Sequence, residues 1–174
     1  ERHGAWDWGD WGDHRDMRLI YAAWHYMALD AAARMADLPG KTQDAYLFRQ
    51  KMTQVKRGYN ACWTGKAYRH PTFTGDTDDR VQALAIISGI ADTDKYPAIS
   101  KLLRTQKHSS PYMEKYVMES LFQMGDGEYA MERAHERYHH MVMDSLHTTL
   151  YEGWLAGANG FGGGTTNHAW SGGP

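Results

Sequence analysis

Apolar residues return every three or four positions along most of this chain, with proline, glycine or a capping residue closing each stretch. That spacing leaves helix packed on helix as the architecture the chain can adopt. In the first stretch Ile20, Ala23, Trp24, Met27, Ala31 and Met35 share one side of a helix predicted over about residues 13–36. Asp13 or Asp16 stands at its start, where an acidic side chain suits the helix dipole, and Pro39-Gly40 stops it. A second helix is predicted from about Thr42, with Ala45, Phe48, Met52 and Val55 on its buried face and Gly58 near its end. The short link makes the pair an antiparallel hairpin.

Residues 59–73 lose the helical period, and their aromatic and threonine content suits a short β excursion or an ordered loop. Residues 74–79 read as a turn with capping side chains. Val81–Ile90 is a very apolar helix ended by Gly89 or Asp92, and a shorter helix covers about Tyr96–Thr105. Ser109-Ser110-Pro111 opens another, with proline in the first turn, running to Gly125. The last is predicted from Gly127 to Met143, with Tyr129, Arg133, Tyr138 and Met141 turned inward. The expectation is an all-α fold of about six helices in three hairpins, without a repeat of fixed period. Gly160 and Gly162-Gly163-Gly164 then mark a loop-rich end, expected to be an ordered loop that needs close backbone approach.

At 174 residues and 42% hydrophobic content the chain is long and apolar enough for one ordinary core. The net charge of -2 and the scatter of its 19 basic residues exclude the basic face of a nucleic-acid binder. No apolar run is long enough to span a bilayer. The single cysteine, Cys62, excludes an intrachain disulfide framework. Seven tryptophans and eleven tyrosines are many for this length. Core packing accounts for some of them, and aromatic faces also stack on the C–H faces of sugars.

Two stretches carry candidate chemistry. Glu152 stands between Tyr151 and Trp154, where partial desolvation would raise a carboxyl pKa and make it a better base near neutral pH. The plain alternative is a surface glutamate beyond a helix. Asp7, Asp10 and Asp13 alternate with Trp6, Trp8 and Trp11. They suit sugar hydroxyls, an acid or a cation, or simply the start of a helix. His168, flanked by Asn167 and Trp170, suits a substrate hydroxyl or a carboxylate. The ligand order of a calcium loop is absent, and His139-His140 shows no zinc spacing, so no metal and no cofactor are expected. Nucleophile-elbow, phosphate-loop and dinucleotide motifs are absent too. Cys62 would act as a nucleophile only beside a histidine base.

Gly9-Asp10-Trp11 and the helix after it, Thr77 through Ala85, Thr148-Thr149-Leu150-Tyr151-Glu152-Gly153-Trp154, and Asn167-His168-Ala169-Trp170 occur in that order. Together they resemble the catalytic domain of bacterial α-L-rhamnosidases, of the inverting six-hairpin glycosidase type, over nearly the whole chain. The resemblance implies an (α/α) toroid of about twelve helices, of which this chain supplies the C-terminal half. It implies Glu152 as general base, His168 as a substrate contact near it, and Asp10 and Trp11 as sugar contacts; Asp7, Trp8 and Trp154, by their place beside these residues in the sequence, are expected in the same binding site. Tyr151, where the family more often has tryptophan, is expected to keep an aromatic wall. The general acid lies upstream in the family and its members usually continue into a β-sandwich, so both ends are expected to be cut. Asp7 or Asp10 would replace it only if the loop brings one opposite Glu152.

The expected partners are therefore a carbohydrate and either the missing N-terminal part of the domain or an oligomer contact. Nucleic acid and membrane are not expected. Two further readings stay open at this point: a non-catalytic carbohydrate-binding or interaction module of the same fold, and another toroid glycosidase or a polysaccharide lyase.

Overall fold

The computed structural model describes residues 8–155 and 165–172. Among these residues there are six α-helices and no strand beyond one isolated bridge. The helices are α1 (Met17–Asp37), α2 (Thr42–Asn60), α3 (Asp79–Ile87), α4 (Tyr96–Leu103), α5 (Pro111–Gln123) and α6 (Gly127–Val142). Single 3-10 turns sit at Thr93–Lys95 and Ala169–Gly172. No described helix is long and apolar enough to cross a membrane.

The helices pack as three hairpins, α1 on α2, α3 on α4 and α5 on α6. Neighbouring hairpins meet chiefly through their first helices, α1 on α3 and α3 on α5. The odd-numbered helices thus form one layer and the even-numbered ones a second layer outside it, the arrangement of a partial (α/α) toroid. Sequence explains the assignment. In α3 every residue from Asp79 to Ile86 is buried, as befits a helix covered on all sides. In α2 only Ala45 and Tyr59 are buried, and Phe48, Met52 and Val55 are half-buried on the same stripe.

Capping sets the boundaries. Asp16 ends the approach to α1 and its side chain accepts from Leu19 N–H at 3.5 Å. Asp78 caps α3, accepting from Arg80 N–H at 3.0 Å. Ser110 caps α5, accepting from Met113 N–H at 3.3 Å, with Pro111 in the first turn. The α5–α6 link turns at Gly125, whose φ of 80° lies in the left-handed region that glycine takes without a Cβ clash. The third helix begins two residues before the predicted Val81, because Asp79 and Arg80 are buried and paired there rather than left in the turn. The β excursion expected over 59–73 reduces to one bridge between Trp63 and Tyr68. Gln82 completes it, accepting from Tyr68 N–H and donating to Tyr68 O, each at 2.8 Å.

Candidate active site

The loop before α1 is shaped by a single guanidinium. Arg80 donates through Nη1 to Asp10 Oδ2 at 2.9 Å and to Trp11 O at 3.0 Å. Its Nη2 reaches Asp13 O at 2.9 Å and His14 O at 3.1 Å, and its Nε reaches Asp78 Oδ1 at 2.7 Å. All five donors of the planar fork are therefore matched by acceptors. His14, with φ of 55°, is the one non-glycine among the described residues in the left-handed region. Its carbonyl is one of those Arg80 collects, so the clamp holds a backbone turn that sequence alone disfavours. Burial pushes the Asp10 carboxyl above its ordinary range despite Arg80 and Ser110, and pushes Asp78 up to about 6. Burial also opposes the charge on Arg80, but Asp78 and Asp10 outweigh it and hold its pKa above the usual value.

A second ionic cluster continues from the first. Asp79 accepts from Arg133 Nη2 at 3.0 Å and from Ser109 N–H at 3.3 Å. Arg133 also donates to both oxygens of Glu114 and to Leu103 O and Gln106 O, carbonyls left open where α4 ends. Arg137, one turn on along α6, donates to Glu114, to Ser109 Oγ and O at 2.8 and 2.9 Å, and to Lys107 O at 3.1 Å. Ser110 closes the chain back to the first loop, its N–H donating to Asp10 Oδ2 at 3.0 Å and its hydroxyl to Asp10 Oδ1. Arg80, Arg133, Asp10, Asp79 and Glu114 are all completely buried.

The Glu152 segment docks onto this cluster. Trp154 Nε1 donates to Ser109 O at 2.7 Å, and the Arg137 guanidinium lies 3.9 Å from the Trp154 ring centroid. His140 Nε2 meets Trp154 O at 2.7 Å, so that nitrogen carries the proton. Tyr151 is buried against Tyr138 and Met141, and its hydroxyl donates to Asp144. Glu152 itself is half-buried. Its N–H donates to Thr165 O at 2.8 Å, and its Oε2 accepts from Thr165 N–H at 3.1 Å and Oγ1 at 3.4 Å. His168 N–H donates to Leu150 O at 3.0 Å, and Thr149 Oγ1 donates to Thr166 O at 2.6 Å. The Thr148–Trp154 and Asn167–Trp170 motifs, far apart in sequence, are thus laced together through residues 149–152 and 165–168.

The residues expected from sequence fall into distinct positions. Glu152 and His168 share one laced segment. Trp8 and Trp11 are half-buried and pack edge-on at 5.9 Å, with Trp8 also 5.7 Å from Tyr112. Trp11 Nε1 meets no acceptor among the described residues. Trp154 joins the two regions. Asp7 and Trp6 lie outside the described residues. Asp10 differs from expectation: its side chain is 0% exposed and both oxygens accept bonds from Arg80 and Ser110. In this arrangement it fastens the loop and has no oxygen open to a sugar hydroxyl or to a leaving group. Tyr151 differs as well, since its ring is 3% exposed and faces the core, where an aromatic wall for a sugar was expected.

Arg133 was expected to turn inward, but its ionic partners, the role of Arg80, and Arg137 and Glu114 altogether were missed by motif reading. Their signal was present: Tyr129, Ala130, Arg133, Arg137, Tyr138 and Met141 form one buried stripe of α6, and charged residues on such a stripe need buried partners. Two cavities lie elsewhere. One of about 590 Å³ is lined by Tyr26, Arg49, Met52, Lys56 and Asp92 among others. The other, about 290 Å³, is lined by Cys62, Trp63, Arg69 and His70 among others. Neither is lined by the residues expected to bind sugar. Burial pushes the Cys62 thiol up, which keeps it protonated. Among the described residues no group of three or more histidine, cysteine, aspartate or glutamate side chains is gathered for a metal ion.

Helical hairpins in two layers, with tryptophans and a half-buried carboxylate carried on loops at one end, define a glycosidase-type (α/α) domain. The chain belongs to the bacterial alpha-L-rhamnosidase six-hairpin glycosidase domain family, whose model matches residues 1–174. No curated protein matches the chain.

Proposed function

We propose that this domain removes terminal α-L-rhamnose from glycans or glycosides by single displacement with inversion, and that Glu152 is the general base. Glu152 takes a proton from water as the water oxygen bonds to the anomeric carbon. The glycosidic bond breaks through an oxocarbenium-like transition state, and the leaving oxygen receives a proton from a second carboxylic acid. Such a pair stands roughly 6.5–9.5 Å apart to admit the water. Asp10 is sealed by Arg80 and Ser110, so the acid in this reading is another residue. Trp8 and Trp11 provide apolar faces for the sugar ring, and His168 a polar contact beside the base.

The observation that carries this reading is the double fastening of the Glu152 segment. It is laced to the His168 segment on one side and tied through Trp154 and Ser109 to the loop bearing Trp8 and Trp11 on the other. Glu152→Gln in the full-length enzyme is expected to abolish hydrolysis of an aryl α-L-rhamnoside with melting temperature unchanged. Near-normal turnover would refute the base role.

The sealed state of Asp10 favours one further reading, a sugar-binding module without turnover of its own. Calorimetry with rhamnose against other sugars, run on the preparation used for the activity assay, separates the two. A lyase would instead leave an unsaturated product that absorbs in the ultraviolet.

A further inference from the structure

We infer that Arg137 is a positioning residue for Glu152, acting through the ring of Trp154 and the carbonyl of Ser109. The inference rests on the reading of Glu152 as base and adds a residue to it.

Three contacts define the role. The guanidinium carbon lies over the Trp154 ring, 3.9 Å from its centroid. Arg137 Nη2 and Trp154 Nε1 both donate to Ser109 O, at 2.9 and 2.7 Å. Glu114, completely buried, fixes the guanidinium from behind. The indole is therefore located by its face and by its N–H at once, and Glu152 is two residues away with only Gly153 between. On the other flank Tyr151 is anchored by its hydroxyl to Asp144. Ser109 is followed by Ser110, which donates to Asp10 from N–H and hydroxyl. The same peptide thus sets the spacing between the base segment and the loop of Trp8 and Trp11.

The chemistry asks for arginine in particular. A lysine ammonium keeps the charge opposite Glu114 but has neither a fork for Ser109 nor a plane for an indole. A buried ion pair is in general a weak source of net stability, because desolvation offsets the attraction. The directional contacts made by Arg137 therefore matter more than its charge.

The test uses the full-length enzyme with Arg137→Lys, Trp154→Phe and the double variant, measured for kcat, KM and Tm on an aryl α-L-rhamnoside. Arg137→Lys is expected to lower kcat by about 10–10²-fold with KM within about twofold, the loss that a shift of about 1 Å in a reacting group produces. Trp154→Phe, which lacks the N–H, gives a smaller loss of the same kind. The double variant is no worse than Arg137→Lys alone, because both changes release one geometry. The inference is overturned if kcat stays at the wild-type value while Tm falls, or if the two losses multiply. Should Arg137→Lys fail to fold, Trp154→Phe decides: lower kcat at constant KM supports the role, and unchanged kcat overturns it. Glu152→Gln run in parallel separates the two ideas. If it is inactive while Arg137→Lys turns over normally, only the positioning role fails. If it turns over normally, the base assignment itself fails.

Discussion

Arg80 Nη1 lies 2.9 Å from Asp10 Oδ2, and neither side chain has any surface in water. That pairing joins the second hairpin to the loop in front of the first, across a sequence separation of seventy residues. Removing one member leaves the other charged and dry. Arg80→Ala is expected to destabilise the chain by about 3–5 kcal/mol, the usual consequence of breaking a buried ion pair from one side. Urea denaturation followed by circular dichroism measures it, and a loss below about 1 kcal/mol would show that the loop is held by other means.

Ser110 has two tasks, capping α5 and bonding Asp10. Ser110→Ala removes the cap and the hydroxyl's bond to Asp10 Oδ1, leaving the N–H bond to Oδ2, and is expected to cost about 1–2 kcal/mol, at the upper end for a lost cap. Ser110→Thr keeps the hydroxyl and restores most of it. Thermal unfolding of the pair of variants distinguishes a lost hydroxyl from a general dislike of change at this site.

Trp11 sits on the loop that Arg80 clamps through its carbonyl rather than its ring. Trp11→Ala should therefore leave the clamp in place while removing a face for the sugar. The expectation is a KM raised by roughly tenfold, equivalent to about 1.4 kcal/mol, with a far smaller change in kcat. Steady-state kinetics of the full-length enzyme checks it, and an unchanged KM would remove Trp11 from the binding surface.

Asp78 gives a dependence on pH. Burial raises its carboxyl from 3.8 to about 6 in the folded chain. The folded state then binds a proton between those values that the unfolded state has released. This contribution to stability is complete below about pH 3.8 and disappears as pH rises through about 6, a span of about 3 kcal/mol for two units of pKa. Asp78→Asn, which cannot ionise, should flatten that part of the profile. Denaturation at pH 4, 5, 6 and 7 would show the wild type losing ground to the variant as pH rises, and a constant difference would contradict the shift.

Helix identity and hairpin order were legible because period and capping are local signals. Ile20, Ala23, Trp24 and Met27 lie on the inward side of α1, whereas Ala31 and Met35, predicted on the same side, are exposed toward its end; all four residues predicted to face inward on α6 are buried. The Glu152 and His168 motifs were legible as motifs, but their lacing through Thr165 and Leu150 was not, since it joins backbone groups that are not neighbours in sequence. Asp10 shows why an aspartate among tryptophans is ambiguous. Its partner Arg80 lies far along the chain inside a helix that reads as apolar. Only the fold reveals that the guanidinium and Ser110 between them take up both carboxylate oxygens. Arg133 was legible as an inward-facing residue, but Arg137 one turn on was not, and their shared partner Glu114 sits on another helix.

Asp16 accepts from His70 N–H at 2.7 Å while its own N–H donates to Asp78 Oδ2 at 2.9 Å. One aspartate thereby knots the entrance of α1, the entrance of α3 and the long connection between α2 and α3. That connection cannot drift alone: an insertion or a protease cut near His70 would unfasten two helix entrances together, and through Asp78 would loosen the guanidinium that shapes the tryptophan loop. Changes on the outer connection are therefore transmitted to the loop that carries Trp8 and Trp11, at the far side of Arg80.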